Sequence, residues 1–277
     1  MKIKALAVLL GLLVVTTFGA VLMVGCDSGG GGFSSLTELI RMAPYDVEMV
    51  LFVDFKKIMS DPDFEELYEE MKESFESSIG SASDRDIINF DDIHYIGLVM
   101  VDYEEIILIN GDFNLDIIRE SLEDEDFDKD SYGGVEIWYG YSGAVAIHDG
   151  ALILGDDEGV VKSVEALVNP DKSAYEKNKD IRDVTDELSS GLFSMVTAEA
   201  YYPGADAAGM TISKLNSELI KFSGCIIFGN SEDAEDSLRN IELDMESEDF
   251  YHLKVSRSGN FVKFSAEIDI EESGIFW

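Results

Sequence analysis

The chain has 277 residues, 46% of them apolar and 10% aromatic, and it sets 57 Asp and Glu against 20 Lys and Arg for a formal charge of −37. Apolar content at that level supports a real hydrophobic core and argues against disorder. So negative a field disfavours nucleic acid and anionic lipid headgroups and favours cations or a basic protein partner, and it equally suits a solvated acidic shell in salty water.

Lys2 and Lys4 open the chain, ahead of an apolar run from Ala5 to Val24, then Gly25-Cys26, Asp27-Ser28 and four glycines. A basic start, an apolar stretch and a small residue before the cut make a secretory signal. Leu22-Met23-Val24-Gly25-Cys26 resembles the lipobox of bacterial lipoproteins, with Met23 where leucine is usual. The resemblance implies loss of residues 1–25, a diacylglycerol thioether on Cys26 and an acylated amino group. Two or three acyl chains anchor stably where one binds only marginally. Twenty apolar residues also match a membrane span, so an uncleaved anchor is the alternative, though a plain span has no need of a cysteine at that boundary. Both versions put the remainder outside the cytoplasm. Residues 26–33 then form a lipidated cysteine and glycine-rich tether, with a root-mean-square reach of roughly 15 Å. Processing removes two lysines and no acid, taking the charge from −37 to −39.

The 244 residues from 34 onward suffice for one large or two smaller units. A short helix over 33–42 leads to a buried strand over 47–55, and Asp61-Pro62-Asp63 opens a helix striped by Phe64, Leu67, Tyr68 and Met71. Strands are expected at 93–101 and 105–110, joined at Asp102-Tyr103, then at 135–139, 144–148 and 151–154. Three times an aliphatic strand runs into glycine, then Asp or Asn, then an amphipathic helix: at Gly111-Asp112, Gly155-Asp156 and Gly229-Asn230. The first-turn acids would repel phosphate, so these are helix caps and not nucleotide cradles. The polar stretch 170–183 marks a subdomain boundary, giving a first α+β subdomain over 34–170 and a second over 171–277. In the second, the spacing predicts a strand over 192–202, a helix within 204–219, a strand over 225–228, a helix over 231–245 and a hairpin over 250–269 turning at Ser258-Gly259-Asn260. The expected fold is α+β, with mainly antiparallel sheets, helices packed on one face and two loosely repeated halves.

Ala43-Pro44-Tyr45-Asp46, Val50-Leu51-Phe52-Val53-Asp54 and Ser60-Asp61-Pro62-Asp63-Phe64 resemble the start of an uncharacterised family of exported bacterial proteins. About 30 residues carry that likeness, and it implies a fold without implying an activity.

No constellation for catalysis emerges. Gly140-Tyr141-Ser142-Gly143-Ala144 approaches a nucleophile elbow but lies between two strands, where an elbow must run from strand into helix. His94, His148 and His252 share no zinc-ligand spacing. Cys225 sits in an apolar run as an inert thiol. The aromatic stretch 132–141 reads as alternating strand faces, with a carbohydrate or apolar platform as the functional alternative. Asp126, Asp128 and Asp130 match the first three ligand positions of a calcium loop, but Ser131 stands where its glycine belongs and Ile137 where its glutamate belongs. These three aspartates are the candidate metal residues, for weak calcium, and no other cofactor is expected. The reading is a membrane-tethered, non-enzymatic binding or envelope-structural module. A ligand- or cation-binding protein comes second and an envelope hydrolase third.

Overall fold

The structure, a computed structural model, describes residues 32–78, 88–141, 143–198, 202–246 and 250–270. The signal segment 1–25, Cys26 and Ser142 lie outside them. Helix α1 (Leu36–Met42) leads into β1 (Met49–Asp54), followed by α2 (Phe55–Met59), a 3-10 turn at Pro62–Phe64, α3 (Glu65–Ser78) and a second 3-10 turn at Phe90–Asp92. The hairpin of β2 (Ile93–Val101) and β3 (Glu104–Gly111) precedes α4 (Leu115–Asp124). Strands β4 (Asp128–Tyr132), β5 (Val135–Gly140), β6 (Gly143–His148) and β7 (Ala151–Gly155) come next. Then follow α5 (Asp157–Val168), a 3-10 turn at Pro170–Lys172, α6 (Ala174–Lys177) and α7 (Lys179–Glu187). Strands β8 (Phe193–Thr197), β9 (Ala205–Lys214) and β10 (Leu219–Phe228), helix α8 (Ser231–Glu246), and β11 (Tyr251–Ser258) with β12 (Phe261–Asp269) complete the chain.

All these strands join one sheet in the order β11-β12-β10-β9-β8-β1-β2-β3-β7-β6-β5-β4, antiparallel at every pairing. The α+β antiparallel architecture is therefore as the sequence implies, and the halves share a single sheet. The helices, however, do not keep to one face. Strand residues alternate sides, and both sides are apolar. Val50, Phe52, Val99, Ile106, Leu108 and Ile153 point one way, under α1, α5, α6 and α7. Val53, Ile96, Ile109, Leu152, Phe193 and Ile212 point the other, against Phe55, Ile58, Phe64, Ile118 and Leu122 of α2, the 3-10 turn and α4. Helix α8 covers the far end of this second face through Ala234 and Ile241. Near-continuous apolar strands such as Val50–Val53 are what a doubly covered sheet needs.

The two halves repeat one path. In the first, a helix (α1) precedes a three-strand meander (β1-β2-β3), and a helix (α4) carries the chain to the sheet edge, from which strands step back inward. In the second, α7, β8-β9-β10, α8 and β11-β12 do the same. Strands β1 and β8 meet antiparallel, with Leu51 opposite Met195, so the halves are related by an approximate twofold axis through that pair. Phe52 pairs with Gly97, and one step round the axis Val196 pairs with Gly209. Both glycines seat a helix against the sheet. A Cβ on Gly97 would lie 2.4 Å from Leu39 of α1, and one on Gly209 would lie 2.6 Å from Val184 of α7.

Three segments differ from expectation. Residues 205–214 are a strand instead of a helix: β9 is hydrogen-bonded on both sides, by β8 and β10, and this pairing overrides the helical preference of its alanines. The stretch 170–183 is helical through α6 and α7, because Asn178 caps α7 by accepting from the Asp180 and Ile181 amides while Ile181 and Val184 are buried on the sheet. Asp128–Tyr132 adds an edge strand that the pattern does not predict, since every residue in it is exposed and no apolar periodicity announces it. The expected caps form at Asp156 and Asn230, whereas Asn114, two residues beyond Asp112, caps α4.

Candidate functional site

The residues singled out by sequence stay apart. His94, His148 and His252 lie on β2, β6 and β11, each beside its own carboxylate: Asp112 at 3.3 Å, Asp149 at 3.3 Å and Glu267 at 2.7 Å. Asp128 and Asp130 are extended residues of β4, paired with Tyr139 and Ile137, and Asp126 precedes them with a left-handed φ of 60°. A calcium loop must curl its ligands around the ion, and this run is drawn out along an edge. Among the described residues, no three His, Cys, Asp or Glu side chains gather where they could hold one metal. Cys225 is buried, with its Sγ 3.8 Å from the Val184 carbonyl, and burial pushes its thiol up to about 12. At neutral pH it is protonated and unreactive.

The structure forms a concave site elsewhere. Pro44, Tyr45 and Asp46, in the turn before β1, face Lys162 and Glu165 of α5 and Asp171, Lys172 and Lys177 beyond it, around a cleft of about 350 Å³. This falls at the small end of the range for ligand pockets, ~300–1,000 Å³. Its backbone is fixed by the Pro44–Ser173 bridge and by the Ala174 amide donating to the Ala43 carbonyl at 2.9 Å. Behind it, Arg41 of α1 stacks over the Tyr175 ring at 4.7 Å, and the Tyr175 hydroxyl donates to Asp186 of α7 at 2.8 Å. Three helices are thereby pinned together.

Three lysines and three carboxylates line the cleft, and two further carboxylates, Asp102 and Glu158, lie around Lys162. Lys162 Nζ lies 3.2 Å from Glu158, 3.4 Å from Asp102 and 3.8 Å from Asp46, tying α5 to the β2–β3 hairpin tip and to the turn before β1. Partial burial works to lower its pKa, but the Glu158 hydrogen bond and the Asp46 charge carry it above the ordinary lysine value. Lys172 pairs tightly with Glu165, which raises its pKa, and Lys177 lies 3.6 Å from Asp171. Tyr45 presents an open ring, 59% exposed. Asp46 Oδ1 is buried, and among the described residues no donor reaches it. Single-residue motifs could not have found this site. The one trace in the sequence is a local excess of lysine, with Lys162, Lys172, Lys177 and Lys179 falling within 18 residues of a chain that has 20 Lys and Arg in all.

The Lys162 end of the cleft lies far from where the chain enters the fold. Phe33 is buried, its ring 6.2 Å from Phe52 and 6.4 Å from Tyr95, and the preceding Gly32 rests on Asn110 and Ala151. Asn110 is six residues along β3 from Glu104, next to the hairpin tip, so the two ends of the strand are about 20 Å apart.

No family model matches this sequence, and no curated protein matches it. Among solved structures, the chain is similar to TP0453, a Treponema protein. Crystal form III of TP0453 is 9% identical over 88% of this chain and 97% of that one, with a TM-score of 0.48. Crystal form IV is 12% identical over 85% and 94%, with a TM-score of 0.49. Likeness at this level says nothing of activity.

Proposed function

We propose that the protein is an extracytoplasmic, lipid-tethered binding module with no catalytic activity of its own. The burial of Phe33, seven residues after Cys26, carries this reading. Gly32 is six positions after Cys26, which limits their Cα separation to about 21 Å. A body held that close to a bilayer needs no membrane-binding face of its own. The acidic surface suits basic partners or cations and repels nucleic acid. The cleft at Tyr45 and Lys162 supports binding and offers no nucleophile with an adjacent base.

Replacement of Cys26 by serine tests the tether. In the native host, Cys26→Ser is expected to release the protein from the membrane fraction or leave it unprocessed, whereas the parent protein loses residues 1–25 and gains the mass of a diacylglycerol. Equal membrane attachment and identical trimming of the variant would overturn the proposal.

A further inference from the structure

We infer that the chain associates with a second copy of itself through its sheet edges, β4 of one copy adding to β11 of the next and continuing the sheet. Among the described residues both edges are open: β4 is paired only with β5 and β11 only with β12, and every residue of β4 is exposed. An open edge presents unpaired amides and carbonyls, and charge placed on it ordinarily keeps other strands away. Here the two edges carry charge of opposite sign. Strand β11 has Lys254 and Arg257 and no acid, whereas β4 has Asp128 and Asp130 around Lys129 and follows the exposed acids at 123–126. Lys129 and Arg257 are occupied within the chain, by Glu136 and Glu235, each at 3.3 Å. Lys254 and Asp128 have no ion-pair partner among the described residues.

Topology makes the edges compatible. In a sheet of 12 strands, each antiparallel to the next, β4 and β11 run in opposite directions, so a second copy set beside the first with the same face forward presents its β11 antiparallel to β4. Their faces match as well. Asp128 and Asp130 pair with Tyr139 and Ile137, on the face under α5. Lys254 and Ser256 lie on that same face, because Val255 between them packs with the α8 cluster on the other. Opposed residues of paired strands share a side, so the acids of one copy meet the lysine of the next. The regular part of β11, residues 254–258 beyond the irregularity at His252, matches the length of β4, 5 residues. Full overlap would set Lys129 against Arg257. A shift of two residues instead sets Asp130 against Lys254, Asp128 against Ser256 and Lys129 against Val255, with no like charges directly opposed. Pairing β4 with another β4 would set acid against acid, and pairing β11 with another β11 would bring no opposite charge to either strand. The contact is therefore head-to-tail, and it repeats from copy to copy.

The test is sedimentation velocity of the detergent-solubilised full chain at about 0.15 M salt, with its concentration raised from about 10 μM to about 1 mM because so short an edge gives a small, weak interface. The parent chain is expected to grow past a dimer as concentration rises. Asp128→Lys with Asp130→Lys, and separately Lys254→Glu, are each expected to weaken association at least about tenfold. An equimolar mixture of the two variants is expected to restore it, since each reversed edge then meets its complement. All three positions are exposed, and an unchanged circular dichroism spectrum shows that each variant is folded. A chain that stays monomeric throughout, association that either reversal leaves unchanged, or a mixture that fails to associate overturns the inference. Association through the lipid anchor alone would survive both reversals, and the anchor itself is decided separately by Cys26→Ser.

Discussion

At the scale of single residues, the cost of so much acid shows at Glu104. The Asp156 charge and a hydrogen bond to Asp156 hold the Glu104 carboxyl above its ordinary pKa, with Glu158 adding to the effect and Lys162 opposing it. A carboxyl whose pKa is raised by folding favours the folded state while it is protonated, and that contribution is lost as pH rises through the raised value. Glu104→Gln is therefore expected to raise the melting temperature at pH 7, the gain shrinking toward pH 4 and below. Thermal denaturation across that range checks both the sign and its disappearance. Such a clash is invisible in the sequence, because Glu104 and Asp156 are 52 positions apart and meet only when β3 pairs with β7. The tyrosine, aspartate and lysines of the cleft were illegible for the same reason. What could be read locally were the caps, since Asp156 and Asn230 bond to amides two and three residues ahead.

Among the elements, the close seating of α1 and α7 sets the packing of the first face. Gly97 and Gly209 sit at matching positions of β2 and β9, and each lets a helix side chain occupy the space a Cβ would take. Gly97→Ala and Gly209→Ala are each expected to cost about 1–3 kcal/mol by overpacking. The two sites are three strand spacings apart, roughly 14 Å, so the double variant is expected to lose the sum. Urea melts with an unchanged slope would record it as a shift of the midpoint. Most strands were legible because continuous runs such as Leu51–Val53 and Ile106–Ile109 are apolar throughout. Strand β9 was not, since Ala205–Gly209 is small and featureless, and its identity comes from β8 and β10 on either side. Edge strand β4 carries only Asp, Lys, Ser and Tyr and looks like any polar loop until Trp138 and Ile137 pair with it.

For the whole molecule, charge governs conditions more than it governs fold. A formal charge of −37 makes the folded chain repel itself, and salt screens that repulsion. Raising sodium chloride from about 0.05 to 0.5 M is expected to raise the melting temperature by about 3–8 °C. Calcium and magnesium chloride at equal ionic strength are expected to act alike; an extra shift with calcium, removed by Asp128→Asn with Asp130→Asn, would restore the calcium site that the extended β4 disfavours. The halved organisation was legible in outline from the recurring strand-to-helix junctions. That the halves merge through β1 and β8 was not, because registry between strands 144 residues apart is a property of the assembled core.

The burial of Phe33 has a mechanical consequence. Its ring wedges against Phe52 and Tyr95, on strands β1 and β2 in the interior of the sheet, with β8 on one flank and β3 on the other. A pull on the chain at Phe33 is therefore delivered to the middle of the sheet and not to a free edge that could peel away strand by strand. A pull applied there would dislodge this aromatic plug before it unzipped a strand.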